Sequence, residues 1–141
     1  LGRRQRAPVA RLGDPGRAMK KVLAIAAAGE AATGLVLLAY PPLPVQLLFG
    51  AEVAGAGSVV SRIAGIALIA LGLACWPGSD HSPALRAMTC YSLLVSICFG
   101  WLGLGGGPVG SLLWPAFAVH VLLTVLLARE WFLQHRQGGD T

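Results

Sequence analysis

Residues 58–76 read SVVSRIAGIALIALGLACW, an apolar run with a single charged side chain, Arg62. As a helix, such a run is long enough to cross the ~30 Å hydrocarbon layer of a bilayer, which takes about 20 apolar residues. Three further apolar stretches of similar length occur at about residues 20–40, 86–106 and 111–131. The sequence therefore predicts an all-α protein, a bundle of four transmembrane helices.

The composition also favours a membrane protein over a soluble domain. Hydrophobic residues make up 55% of the chain and charged residues 12%, which is too little charge for the surface of a soluble domain. Many of the 19 glycines lie within the apolar stretches, where small residues let neighbouring helices approach closely. We expect a single four-helix transmembrane domain over residues 19–133.

The basic character of the chain is concentrated at its beginning. Five of the eleven basic residues precede Met19, and the rest of the chain has six basic and five acidic residues. Because Met19-Lys20-Lys21 directly precedes an apolar run, we predict that Met19 is the natural start and that residues 1–18 are a disordered basic leader, upstream or non-native. Residues 134–141 are predicted to form a disordered tail. No nucleic-acid partner is expected.

The distribution of Lys and Arg predicts the orientation of the helices. Basic residues stay on the cytoplasmic side of short connections, and the connections at residues 41–57 and 107–110 contain none. Basic residues flank the opposite ends of the stretches: Lys20, Lys21, Arg86, Arg129 and Arg136. Aromatic residues typical of interfaces agree, with Tyr40, Trp101 and Trp114 on the outer side and Trp76, Tyr91 and Trp131 on the inner side. We predict an up-down-up-down bundle with both termini cytoplasmic, in the cytoplasmic (inner) membrane of a bacterium.

The connection at residues 41–50, PPLPVQLLFG, is too apolar for a solvated loop and too short to span a bilayer. One interpretation is a short interfacial helix on the rim of the bundle. The alternative is a hydrophobic loop packed on the helix ends, and the sequence favours neither.

Three ionisable side chains lie within the predicted spans: Glu30, Arg62 and His120. A charge at the bilayer centre costs about 2.5 kcal/mol or more, so such residues usually face the bundle interior and are candidate functional residues. Glu30 and His120 each lie near the bilayer midplane at a rise of ~1.5 Å per residue, which makes a contact between them geometrically reasonable. Arg62 lies near the outer edge, where we predict contact with a lipid headgroup.

Glu30 and His120 allow two interpretations. They could exchange protons within a small transporter or channel, because a carboxyl group and an imidazole both bind protons reversibly. They could also be neutral hydrogen-bonding partners that fix how the first and fourth stretches pack. Interhelical polar contacts commonly serve packing, which favours the second interpretation.

The sequence contains no motif typical of an enzyme, a cofactor site or a metal site. The three cysteines form no CxxC pair, and one histidine within the spans does not suffice for a bis-histidine haem. The glycines between residues 103 and 107 do not form a phosphate-binding loop. We expect no cofactor and no metal, and a non-enzymatic role is favoured over an enzyme.

The string RIAGIALIALGLACW at residues 62–76, with LWPA at residues 113–116 and His120, resembles uncharacterised small four-helix integral membrane proteins of bacteria. This resemblance covers about residues 19–131; it implies the same topology and no known activity. The GEAATG run at residues 29–34 is similar to the glutamate segment of small multidrug-resistance transporters. The later aromatic and glycine patterns of that family are missing.

These observations lead to three expected functions. The first is a non-enzymatic accessory or scaffold subunit, or a homo-oligomeric bundle, because small-residue faces are typical of helix association. Its partners would be the lipid bilayer and another membrane protein or a second copy of the chain. The alternative is a small proton-linked transporter or channel that uses Glu30 and His120. The third is a membrane enzyme that acts on a lipid or a quinone, based on Arg62 and residues 41–50.

Overall fold

A computed structural model describes residues 15–78, 82–107 and 109–138. These residues form five helices: α1 (Pro15–Ala39), α2 (Pro42–Phe49), α3 (Ala56–Ala74), α4 (Ser82–Leu104) and α5 (Leu113–Gly138). The four long helices, α1, α3, α4 and α5, are long and apolar enough to cross a membrane. The prediction of an all-α protein with four such helices is confirmed.

The ends of α1 and α5 differ from the predicted boundaries. Residues 15–18 of the predicted leader belong to α1, and residues 134–138 of the predicted tail belong to α5. Both extensions contain Arg or Gln, which have good helix propensity. Because these residues are polar, a search for apolar stretches does not include them in a helix. Residues 1–14 and 139–141, the remainder of the predicted leader and tail, lie outside the described residues.

The apolar connection at residues 41–50 contains helix α2, so the predicted helix is confirmed, while its place at a membrane interface stays a prediction. Gly50 ends α2 in the left-handed conformation, with φ of 64°. Two carbonyl groups of its last turn accept hydrogen bonds from the backbone N–H groups of Gly110 and Leu112, at 3.0 and 2.8 Å. A helix end would otherwise leave these carbonyls without partners. These bonds attach α2 to the segment that begins α5.

The long helices pack as two pairs, α1 with α3 and α4 with α5, and far fewer contacts join one pair to the other. Glycines bring α1 and α3 into backbone contact. A Cβ atom added at Gly65 would lie 2.6 Å from the carbonyl oxygen of Gly34, and one added at Gly72 would lie 2.5 Å from that of Ala27. Only glycine allows this approach, so the α1–α3 pair depends on small residues.

The two pairs meet at one end of the bundle, which we call the packed half. Its most buried side chains are at most 1% exposed: Leu23, Cys75, Leu85, Met88 and Leu127. They come from the first part of α1, the end of α3, the first part of α4 and the later part of α5. The core therefore closes one half of the bundle, while α2 lies at the other end.

Large apolar side chains cover the outside of the long helices. Ile25, Leu73 and Leu104 are 73%, 71% and 82% exposed. Soluble proteins rarely present extended apolar surface to water, whereas lipid chains are as apolar as these side chains. The described helices therefore have the surface of a multi-pass membrane protein.

Candidate intramembrane site

A cavity of about 580 Å³ lies between the two helix pairs, with α2 contributing to its wall. Small-molecule sites typically enclose ~300–1,000 Å³. The lining is almost entirely apolar, and its side chains that carry nitrogen or oxygen are Glu30, Thr33, Tyr91 and His120. Among the described residues, neither Lys nor Arg lines the cavity.

A second cavity of about 370 Å³ lies between α1 and α5. Glu30, Thr33, Ala116 and His120 line both cavities. The carboxyl group and the imidazole are therefore accessible from two sides of the same helix–helix contact.

The two ionisable residues predicted at one depth, Glu30 and His120, lie next to each other. The Nε2 atom of His120 is 3.4 Å from Oε1 of Glu30. This separation exceeds the ~2.7–3.2 Å of an ordinary N–H···O hydrogen bond, and Nε2 has no other hydrogen-bond partner among the described residues. We therefore describe the contact as a close polar pair. Its burial is pronounced, because the Glu30 side chain is 9% exposed and that of His120 is 14% exposed.

Tyr91 of α4 completes the group, which we call the Glu30 cluster (Glu30, Tyr91 and His120). Its hydroxyl group donates a hydrogen bond of 2.9 Å to Oε2 of Glu30. Each carboxylate oxygen of Glu30 therefore faces a different side chain, Oε2 the phenol and Oε1 the imidazole. Three helices, α1, α4 and α5, meet through this cluster.

The second nitrogen of His120 determines which tautomer the ring adopts. Its Nδ1 atom lies 2.8 Å from the carbonyl oxygen of Ala116. Because a carbonyl oxygen only accepts hydrogen bonds, Nδ1 carries a proton. In the neutral ring, Nε2 then presents a lone pair toward Oε1 of Glu30. Two facing lone pairs repel each other, so a proton on either atom would make this contact favourable.

Aromatic rings position the imidazole on the cavity side. Phe99 contacts His120 edge to face with ring centroids 5.8 Å apart, and Tyr91 lies at 6.0 Å. Phe49 of α2 contacts Phe99 at 6.3 Å, so a row of rings extends from α2 to the Glu30 cluster. Such edge-to-face pairs restrict ring orientation.

Tyr91 was not among the predicted site residues. It was predicted at the inner interface because the third span was predicted to begin at residue 86. Helix α4 begins at Ser82, so Tyr91 lies nine residues further along, ~13 Å at the helical rise. An earlier helix start would have placed the phenol at a depth similar to that of Glu30.

Arg62 has a structural partner outside the Glu30 cluster. Its Nη1 donates a hydrogen bond of 2.9 Å to the carbonyl oxygen of Leu38 near the end of α1. In a continuing helix this oxygen would accept from the N–H of residue 42, but Pro42 has none. Arg62 thus satisfies a carbonyl that the proline leaves without its helical donor. Its contact with a lipid headgroup stays a prediction.

We expect Arg62→Met to lower the free energy of unfolding by about 1 kcal/mol, because the Leu38 carbonyl loses a charged donor. Unfolding in mixed micelles, followed by circular dichroism, measures the loss. Arg86→Met, at an exposed arginine of α4, should have a smaller effect. In a Pro42→Ala background the loss should shrink, because residue 42 regains its N–H; an undiminished loss there would contradict this role of Arg62.

The part of the chain that the structure describes contains neither a group of metal ligands nor a disulfide. No three His, Cys, Asp or Glu side chains there lie close enough together to hold a metal ion. Cys75 is buried, and Cys90 and Cys98 are exposed, each as a free thiol.

Comparison with known proteins assigns no family to the chain. It matches no protein-family profile, no curated protein and no solved structure. The resemblance to small four-helix bacterial membrane proteins stays a prediction.

Proposed function

We propose that the protein is a small proton-linked transporter in which Glu30 and His120 bind and release a proton within the membrane. The observation that carries this proposal is the buried contact between Oε1 of Glu30 and Nε2 of His120, at 3.4 Å. With Nδ1 of the ring engaged by Ala116, the lone pairs of Nε2 and Oε1 would repel each other unless one of the two atoms carries a proton. A proton held at a cavity wall is the element that proton-linked transport needs.

The electrostatics of the site support a role in proton exchange. An ionised Glu30 beside a neutral His120 would leave a net charge in an apolar cavity, which is costly in a low-dielectric environment. One shared proton makes the pair neutral whether it resides on the carboxyl or on the imidazole. Loss of that proton therefore requires a compensating positive charge. Release of the proton would thus be coupled to the entry of a cation into the cavity.

The packing supports a transporter over an open channel. Leu23, Leu85, Met88 and Leu127 fill the packed half, whereas the cavity lies between the helix pairs near α2. A site bounded by a core at one end and by α2 at the other is compatible with alternating access, in which one barrier moves at a time. The few contacts between the pairs would allow one pair to move against the other.

We place the four long helices in the cytoplasmic membrane of a bacterium, up-down-up-down, with both termini cytoplasmic. Two contacts support opposite directions for α1 and α3, because Gly34 meets Gly65 while Ala27 meets Gly72. The distribution of basic residues supports the orientation. With this placement, the packed half lies toward the cytoplasm, and α2 and the cavity lie toward the outer face.

The accessory or scaffold role has less support from the packing. It was motivated by small-residue faces, but Gly34, Gly65 and Gly72 pack between α1 and α3 of the same chain. Ser92 and Ser96 of α4 are buried as well. These faces are thus occupied within the chain, and the lipid bilayer is the partner that the exposed apolar surface favours.

Infrared difference spectroscopy of the protein in lipid, as the pH is stepped from acid to alkaline, tests the proposal. We expect a carboxyl band that changes with pH in the wild type, is absent in Glu30→Gln and persists in Glu52→Gln, a matched change at an exposed loop residue. His120→Gln should shift that band, because the shared proton loses one of its two sites. A Glu30→Gln spectrum identical to that of the wild type would refute proton exchange at Glu30.

A further inference from the structure

The hydrogen-bonding groups that line the larger cavity are unequally available to a ligand. The Tyr91 hydroxyl donates to Glu30, the Thr33 hydroxyl donates to the Gly29 carbonyl at 2.9 Å, and Nδ1–H of His120 is directed at Ala116. These donors are therefore engaged within the protein. What remains toward the cavity is acceptor capacity, because a carboxylate has about four lone-pair positions and each hydroxyl oxygen has two.

The charge of the lining also favours a ligand that donates hydrogen bonds. Among the described residues, Glu30 is the one acidic residue of the lining, and neither Lys nor Arg lines the cavity. An anionic ligand would lie beside the carboxyl group of Glu30 without a Lys or Arg among the described residues of the lining, so its desolvation would be costly. A ligand that presents hydrogen-bond donors and a positive charge fits both the acceptors and the carboxylate.

From these observations we infer that the cavity binds a lipophilic organic amine in its protonated form, with the ammonium group against Glu30 and the apolar part between the helix pairs. The inference rests on the proposed function and names its substrate class. The cavity of about 580 Å³ accommodates a small aromatic or alkyl amine. The aromatic row of Phe49, Phe99 and Tyr91 offers π-faces and ring edges beside the cation.

Binding of the ammonium should release the proton of the Glu30–His120 pair. Before binding, the pair and its shared proton have a net charge of zero. When R–NH3⁺ enters, its N–H groups donate to Glu30 as a carboxylate, and the shared proton leaves to water as His120 becomes neutral. One positive charge enters and one leaves, so the occupied site is neutral again. Binding without this release would leave an uncompensated charge in the apolar cavity.

A neutral ligand that only accepts hydrogen bonds, such as a quinone, fits the lining less well. Its carbonyl oxygens need donors, and the hydroxyl groups of Tyr91 and Thr33 already donate within the protein. A quinone would have to break the bond from Tyr91 to Glu30 and leave a buried carboxylate oxygen with one partner fewer.

Isothermal titration calorimetry of the protein in lipid nanodiscs tests the inference with three ligands that share one apolar tail. The probes are 4-phenylbutylamine, 4-phenylbutanol and 4-phenylbutyrate, with protein-free nanodiscs subtracted. Measurement in two buffers of different ionisation enthalpy gives the number of protons released. We expect the amine to bind about tenfold or more tightly than the alcohol and the acid, with about one proton released per amine. Glu30→Gln should lose that preference, and Glu52→Gln should retain it.

Three outcomes overturn the inference: no binding of the amine, equal binding of the alcohol or the acid, or amine binding without proton release. None of these outcomes contradicts proton exchange at Glu30, which the infrared spectra test separately. A fold control is the circular dichroism spectrum of Glu30→Gln. If that variant does not fold, Tyr91→Phe provides the test, because it retains the Glu30 carboxylate and removes its phenol donor. Amine binding should then persist with an altered affinity. An unchanged affinity would count against binding of the amine at Glu30.

Discussion

Replacing Ala67 with Phe is expected to abolish amine binding while leaving the pH-dependent carboxyl band of Glu30 intact. Ala67 lines the larger cavity from α3, so a phenyl ring at this position would occupy the volume that the apolar part of the ligand needs. One extra or missing methylene in an apolar pocket changes discrimination between ligands by roughly 10- to 200-fold. A phenyl ring is a larger change in size than one methylene. The same calorimetric titration measures the effect.

The matched control for this substitution is Ala70→Phe. Ala70 lies on the same helix, is exposed, and lines neither of the two cavities. The two variants therefore differ in the location of the added ring and share its hydrophobicity. Equal amine binding by both variants would place the ligand outside the cavity. Loss of the Glu30 band in Ala67→Phe would mean that the ring disturbs the cluster itself.

Gly65→Ala is expected to destabilise the protein by about 1–3 kcal/mol, the usual range for overpacking. The added Cβ would lie 2.6 Å from the Gly34 carbonyl oxygen and 2.9 Å from the Leu38 nitrogen. Both are backbone atoms, which cannot rotate away, so α1 and α3 must separate. Unfolding in mixed micelles, followed by circular dichroism, measures the change in the free energy of unfolding.

Gly29→Ala is the matched control, because an added Cβ there meets no atom within 4 Å. Alanine has the higher helix propensity by about 0.8–1 kcal/mol, so this variant should be neutral or more stable. The same chemical change should thus have opposite effects at two positions. Equal destabilisation by both variants would contradict the backbone contact between α1 and α3.

The number of long helices could be predicted from the sequence because hydropathy over about 20 residues is a local property. The pairing of those helices could not, since the contact of Gly34 with Gly65 depends on two segments separated in sequence. The same limit applies to the cavity. It exists because the two helix pairs separate beyond the packed half, and no single stretch of sequence encodes that separation.

The proximity of two of the three residues in the Glu30 cluster was predicted. Counting residues from the span ends placed Glu30 and His120 at one depth, which their 3.4 Å contact requires. The phenol of Tyr91 was missed because the predicted start of its span was four residues late. The bond from Arg62 to Leu38 was missed for another reason: it depends on the absent N–H of Pro42, a backbone property that a search for charged side chains does not register.

The sharing of one proton between Glu30 and His120 can be measured by solid-state ¹⁵N NMR of histidine-labelled protein in lipid. His120 is identified by the signals missing in His120→Gln. The structure predicts that Nδ1 stays protonated from acid to alkaline pH, and that the Nε2 resonance changes with pH and shifts in Glu30→Gln. A ring protonated at Nε2 instead of Nδ1, or an Nε2 resonance unaffected by Glu30→Gln, would contradict a shared proton.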